Sequence, residues 1–324
     1  MRGSPPPSRQ QGIALLTAIL LVALGTILAT AMAYQNAMTA RRGEATFAFD
    51  QSILIAQAGE AIAAYALRES RNMSKGGAQD SPDQIWAMPL GPVEIVPGVT
   101  LEAVLEDMQA RFNLNNLVNA DGSIDTNAVT LFENLLQNVG LESKWAALIA
   151  DWIDADSVAD GPEGAEDNTY LSQAPPYRTA NRQITSASEL LALPGFGRNR
   201  YLTLQPYVTA LPRATRINTC TAQGPVLDSL LPNGEHTWST LSAQQLAKQR
   251  AGGNGCTPTV QDFQASFTND AGSTYAAGQI GMVSDYFRLT CIVDVGTLEF
   301  RLYSLLHREG GNRMHVIERS FTAD

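Results

Sequence analysis

Gly12-Ile13-Ala14-Leu15-Leu16-Thr17-Ala18-Ile19-Leu20, continued without a single charge to Tyr34, is the stretch on which the fold of this 324-residue chain turns. Residues 13 to 34 contain no proline, and Gly25 is their only weak helix former. At ~1.5 Å per residue such a helix is ~33 Å long, enough to cross a bilayer core of ~30 Å. Upstream, residues 1 to 12 are polar and basic, with Arg2, Arg9 and the run Pro5-Pro6-Pro7. Three readings fit these facts. Ala31-Met32-Ala33 is a small-x-small sequence of the kind that ends a cleaved secretory signal. An uncleaved signal anchor fits as well, with Arg2 and Arg9 balanced by Arg41 and Arg42 on the far side. In the third reading, cleavage between Gly12 and Ile13 removes the basic leader and leaves the apolar helix on the mature protein.

The residues that follow favour the third reading. Phe47, Ile53, Leu54, Ala58, Ile62, Tyr65 and Ala66 recur at helical spacing through a segment with no proline. The apolar rod is therefore expected to continue as one long helix with a stripe turned toward a folded head, which a discarded signal would not need. Composition is consistent with folded material: 44% of residues are hydrophobic, and the formal charge of -10 argues against general affinity for a phosphate backbone. The three cysteines, Cys220, Cys256 and Cys291, show no C-x-x-C spacing, so one disulfide plus a spare thiol is expected in an oxidising compartment. Which two pair is left open by the spacing.

Arg9-Gln10-Gln11-Gly12-Ile13-Ala14-Leu15-Leu16 resembles the prepilin peptidase site of type IV pilin-like subunits. Such subunits usually carry Glu at the fifth mature position, where this chain has Thr17. A carboxylate in the bilayer is costly unless it meets a cation such as a neighbour's N-terminal amine. A subunit at the end of a filament lacks that neighbour and can omit the acid. The segments Gln57 to Glu60, Asp107 to Leu117, Asp151 to Asp156, Gly164 to Tyr170 and Glu189 to Phe196 extend the likeness, so that from residue 9 to about 220 the chain resembles the K-type minor pseudopilins of the type II secretion system. The resemblance implies cleavage after Gly12 by the prepilin peptidase and N-methylation of Ile13. It also implies an inner-membrane anchor with a periplasmic head, direct partnership with I-type and J-type minor pseudopilins among other pseudopilins, and a place at the pseudopilus tip in support of protein export across the outer membrane. No nucleic acid partner is expected. The fold it implies is α+β: a type IV pilin-like fold, its long N-terminal helix packed on an antiparallel sheet, with a large inserted α-helical domain.

Along the chain this gives a leader at 1–12, the long helix at 13–70, a first part of the head at 71–108, the inserted α-helical domain at 109–213 and a second part of the head at 214–324. Pro97-Gly98 interrupts strand-like residues between Val93 and Leu105. Period 3.6 marks Asn127 to Leu136 and Leu141 to Trp152, and Ser186 with Glu189 reads as a capping box for a helix over 187–193. A helix is predicted at Ser242 to Arg250, and antiparallel strands at Phe287 to Val295, Leu298 to Leu306 and Met314 to Phe321.

Asp151, Asp154, Asp156, Asp160, Glu163, Glu166 and Asp167 place seven carboxylates in 17 residues, with no Lys or Arg between Lys144 and Arg178. A compact loop of this composition repels itself unless a hard cation with six to eight oxygen ligands neutralises it. Gly161 and Gly164 permit tight turns there, although the spacing is not that of an EF-hand. Composition leaves a calcium site and a merely solvated acidic loop evenly matched; the family resemblance implies calcium, with Asp154, Asp156, Asp160, Glu163, Glu166 and Asp167 as candidate ligands. Leu193-Pro194-Gly195-Phe196-Gly197, followed by Arg198 and Arg200, resembles the hairpin of helix-hairpin-helix modules and defines an alternative function, an envelope-anchored DNA-binding or uptake protein. His236, His307 and His315 form no H-E-x-x-H, and there is no G-x-S-x-G or P-loop, so an enzyme is not expected. Trp86, Trp145, Trp152 and Trp238 read as core or interface anchors.

Overall fold

A computed structural model describes residues 11–73, 78–231, 237–252, 255–267, 271–310 and 313–322. Most of the leader and His236 fall outside that set. Helix α1 runs from Gln11 to Met73, and the chain divides into two compact units, Met1–Leu54 and Ile55–Asp324.

In the first unit the uncharged residues 13 to 34 are solvent-exposed and continuously helical, as an apolar segment must be if it spans lipid with every backbone group paired internally. Its hydroxyls are satisfied in the same way. Thr17 Oγ1 donates to the Ile13 carbonyl at 3.1 Å or the Ala14 carbonyl at 3.0 Å, and Thr26 and Thr30 donate back to Ala23 and Thr26. Each is a back-bond to a carbonyl three or four residues earlier, so that no hydroxyl is left unsatisfied in the apolar segment.

The second unit is built on a five-stranded antiparallel sheet. Strands β1 (Leu90–Val96) and β2 (Val99–Asp107) form a hairpin about Pro97-Gly98. The order is β1-β2-β7-β8-β9, with β7 (Tyr286–Val295), β8 (Leu298–Glu309) and β9 (Arg313–Ser320) as the later strands. Alternation decides the inner face: Phe287, Leu289, Cys291 and Val293 of β7 and Phe300, Leu302 and Leu306 of β8 are buried. The C-terminal part of α1 supplies the covering stripe Ala56, Gly59, Glu60, Ala63 and Leu67, spaced three and four residues apart. Gly59 is required by closeness, because a Cβ there would lie 2.7 Å from Cys291 Sγ. One residue on, buried Glu60 accepts from Ser304 Oγ at 2.6 Å and from Arg319 Nε and Nη2 at 2.8 Å each.

The helical body interrupts the sheet between β2 and β7, where Asp107 and Phe287 are register partners. It contains α2 (Thr126–Asn138), α3 (Trp145–Ile153), α4 (Asp167–Tyr170) and α5 (Gly197–Leu204). Two-residue strands β3 (Phe112–Asn113) and β4 (Val208–Thr209) pair in parallel at its base. The capping box at Ser186 and Glu189 forms, although the residues behind it, Ala187–Ala192, make a 3-10 helix.

The buried core runs on past residue 213. Beyond it, β5 (Ile217–Asn218), α6 (Gly224–Ser229), α7 (Ala243–Gly252), α8 (Val260–Ser266), α9 (Ala271–Gly278) and β6 (Ile280–Gly281) precede the sheet strands. Val226, Leu227, Leu230, Leu246, Phe263, Ala276 and Ile280 share one hydrophobic cluster with Phe132, Leu135 and Ile149. Three of these later helices, at six to eight residues, are too short to advertise a period in sequence. Cys220 and Cys256 form a disulfide within this region, while Cys291 is a free buried thiol on β7.

A belt of buried polar residues joins the helical body to the sheet. Asn113 Nδ2 donates to the Pro212 carbonyl and to Thr215 Oγ1, both at 2.8 Å, and Asn115 Nδ2 bridges the carbonyls of Ile184 and Leu211 at 2.9 and 2.8 Å. Asp107, at the last position of β2, accepts from Ser284 Oγ at 2.6 Å, Asn218 Nδ2 at 2.9 Å and the Gln109 N–H at 2.8 Å. Asp80, also buried, receives Arg308 Nη1 at 2.7 Å and Nη2 at 3.0 Å and the Ser284 N–H at 2.9 Å.

Candidate metal centre and comparison with known proteins

Helix α3 ends where the acidic sequence begins. Its last turn carries Asp151 inward, and Asp151 acts as a brace: its carboxylate accepts the Asp160 N–H at 3.2 Å and the Ala165 N–H at 2.8 Å, folding residues 151–165 into a closed loop. Gly164 has no room for a side chain, since a Cβ would collide with that carboxylate. Gly161 takes φ +75°, the left-handed turn that glycine adopts without strain. At the loop's start the Ala155 N–H donates to the Gly122 carbonyl at 3.2 Å.

Within this frame Asp154, Asp156 and Glu166 each bring one carboxylate oxygen within 4.8 Å of the others. Asp154 is 3% and Glu166 5% exposed, yet Asp154 Oδ1 and Glu166 Oε1 are buried with no hydrogen-bond partner. Asn181, whose amide nitrogen donates to the Asp156 carbonyl, has a buried and partnerless Oδ1. The remaining Glu166 oxygen accepts from Thr179 Oγ1 at 2.9 Å. Beneath the loop lie Trp152, Tyr170 and Tyr177, with ring centroids 5.1 to 6.5 Å apart.

Electrostatics follow from this crowding. Burial, reinforced by the charges of Asp151, Asp156, Glu166 and Asp160, pushes the Asp154 carboxyl up to about 7. Burial, opposed by its two backbone donors and assisted by Glu166 and Asp160, takes Asp151 up to about 6. Glu166 is raised by burial first, with Asp156 and Asp167 adding to it. The donor set is all oxygen and largely anionic, and three of its buried oxygens lack partners. That chemistry fits a hard divalent cation.

Of the six candidate ligands, Asp154, Asp156 and Glu166 converge. Asp160 contributes a backbone N–H to the brace while its side chain, like that of Glu163, belongs to an exposed residue. Asp167 is engaged elsewhere, paired with Arg178 at 3.1 Å and accepting from the Thr179 N–H at 3.2 Å, and it shares the Thr179 hydroxyl with Glu166. Asn181 and Thr179 are participants that local sequence pattern does not announce, because they return to the loop from the far side of α4.

The hairpin-like motif is committed internally. Phe196 is buried edge-on against Trp145 at 5.2 Å. Arg200 donates to the Gly195 and Phe196 carbonyls at 3.0 and 3.1 Å, lies 5.0 Å from the Trp145 ring centroid, and sits 3.5 Å from Glu142. A guanidinium so engaged is not presented to a phosphate, and DNA binding is not favoured. Trp86, Trp145 and Trp152 are buried, and Trp238 is partly buried against the helical core.

Long helix, antiparallel sheet and interrupting helical body together define a pilin-like secretion subunit of the minor pseudopilin class. A family model described as type II secretion system (T2SS), protein K matches residues 110–213. The type II secretion system protein K of Pseudomonas aeruginosa is 31% identical over 96% of this chain and 92% of its own length, and that of Klebsiella pneumoniae 31% identical over 97% of each. In the crystal structure of the GspK-GspI-GspJ complex from the enterotoxigenic Escherichia coli type 2 secretion system, one chain has the same fold. The TM-score is 0.68 at 22% identity, covering 87% of this chain and all of that one. The chain therefore belongs to the type II secretion system protein K family.

Proposed function

We propose that this minor pseudopilin caps the tip of a periplasmic pseudopilus, anchored in the inner membrane by residues 13 to 34 after prepilin peptidase cleaves between Gly12 and Ile13 and Ile13 is N-methylated. The observation that carries the reading is Thr17. At the position where a pilin-like helix would present an acid to a neighbour's N-terminus, its hydroxyl is satisfied by its own helix. A helix with no intramembrane charge to pair has no need of a subunit above it. The helical body, set between β2 and β7, supplies bulk that obstructs a further subunit.

Partners of I-type and J-type are inferred from the complex in which the fold's relative was crystallised. Calcium, held by Asp154, Asp156 and Glu166 with Asn181 as a neutral ligand, supplies the positive charge that closes the acidic loop. The test is co-purification of the membrane-extracted chain with I-type and J-type pseudopilins, together with N-terminal sequencing. A ternary complex whose K-type chain begins at methylated Ile13 is expected. A chain that still begins at Met1, or begins at Tyr34, and recovers neither partner overturns the reading.

A further inference from the structure

The final hairpin carries a second group of potential ligands, far from the acidic loop in sequence and chemically unlike it. His307 on β8 and His315 on β9 are direct cross-strand partners, so their side chains leave the same face of the sheet a few ångströms apart. Glu309 lies two residues beyond His307 on the same strand, hence on the same face. One ligand atom from each of the three lies within 4.8 Å of the other two. The two imidazole centroids are 5.3 Å apart and meet edge to face.

His315 Nε2 is 3.5 Å from Glu309 Oε1. A charge-assisted hydrogen bond would close to about 2.7–2.9 Å. Two ligands on a tetrahedral ion with bonds of about 2.0–2.1 Å are separated by about 3.4 Å, which is the spacing found. His307 is held in place from behind by Tyr286, whose ring stacks on it at 4.6 Å and 18°. The other carboxylate oxygen of Glu309 is 3.9 Å from Arg313 Nη2, so the pairing with Arg313 can persist while Oε1 serves an ion.

We infer that His307, His315 and Glu309 form a binding site for a borderline transition-metal dication of the zinc class. Two neutral imidazoles and one carboxylate make a three-ligand set, leaving a fourth tetrahedral position to water. The site would fasten β9, the outermost strand of the sheet, to β8 beside the connection that joins them. It is independent of the acidic loop, whose all-oxygen set suits a hard cation instead. The inference stands whether or not this chain occupies a filament tip.

The test uses the full chain in detergent micelles, saturated with calcium so that the acidic loop is filled, and titrated with Co2+ and then Zn2+. Cobalt is expected to give a single saturable visible band of the intensity that four-coordination produces, displaced by zinc. His307→Gln and His315→Gln should each weaken binding at least tenfold, as loss of even an outer-shell partner does, with unchanged circular dichroism. Asp154→Asn should leave the cobalt band intact. A flat cobalt titration, or a band that survives in both histidine variants, overturns the site. A band lost in Asp154→Asn but kept in the histidine variants overturns it equally, by placing the ion in the acidic loop.

Discussion

Two regions of the molecule bury carboxylates, and they balance them differently. At the junction of sheet and helical body, Asp80 receives both terminal nitrogens of Arg308 and Asp107 receives four donors from the protein. In the acidic loop, Asp154 Oδ1 and Glu166 Oε1 are as deeply buried and receive none. A buried anion is tolerated when its charge is met by a partner of fixed geometry. At the junction the sequence itself supplies the partners, a guanidinium for Asp80 and four neutral donors for Asp107, whose carboxyl burial still pushes up to about 6. In the acidic loop no protein donor meets Asp154 Oδ1 or Glu166 Oε1, and the proposed cation would take that place.

The largest effect expected from this contrast is at the junction. Arg308→Met leaves Asp80 buried without its main partner, and should cost about 3–5 kcal/mol in denaturant unfolding of the head. A loss below 1 kcal/mol would mean that the junction is not self-neutralised. In the acidic loop the sign should invert. In the presence of chelator, Asp154→Asn removes repulsion and is expected to raise the melting temperature slightly. With calcium at a hundredfold over its dissociation constant, wild type should gain about 2.7 kcal/mol that the variant lacks. Identical wild-type melting with calcium and with chelator removes the cation from the picture.

A third measurement examines how closely α1 is seated on the sheet that the junction supports. Gly59→Ala places a methyl against Cys291 Sγ and should cost about 1–3 kcal/mol by overpacking. Adding Cys291→Ala should recover most of that loss, and additive penalties would show that the helix shifts instead.

A further effect is a pH dependence of the acidic loop. Asp154 holds its proton to about 7 in the folded state, whereas the unfolded carboxyl releases it near 4. Between those values the folded state binds more protons, so chelated protein should lose stability as pH rises from 5 to 7, by about 2 kcal/mol. Calcium should reverse the slope, since proton and cation compete for the same oxygens. A flat profile in chelator would show that the carboxylates are solvated rather than crowded.

Legibility in sequence followed the range of the interactions. The apolar rod and the alternating strands from Phe287 onward rest on neighbours within a few residues, and their periods can be counted, although α1 turns Ala56, Ala63 and Leu67 to the sheet and leaves the expected stripe residues Leu54, Ile62 and Tyr65 exposed. Helices α6, α8 and α9 could not be counted, because they are too short to show a period and owe their existence to packing into the shared hydrophobic cluster. Cysteine pairing was equally silent, since what leaves Cys291 alone is its position on the inner face of β7, a matter of register. At the candidate metal centre the carboxylates announced themselves by density. Which three converge depends on Asp151 acting as a brace and on Asn181 returning from beyond α4, and neither role has a local signature.

Because Asp107 and Phe287 sit opposite one another in the ladder, β2 and β7 are topologically a hairpin whose loop has grown into a globule. Closing so long a loop is entropically unfavourable for an unstructured chain. The globule removes most of that difficulty if it condenses first, delivering the two strand ends side by side. Assembly of the sheet would then wait on the appendage it carries, and a short turn joining Asp107 to Phe287 should release the sheet from that order of events.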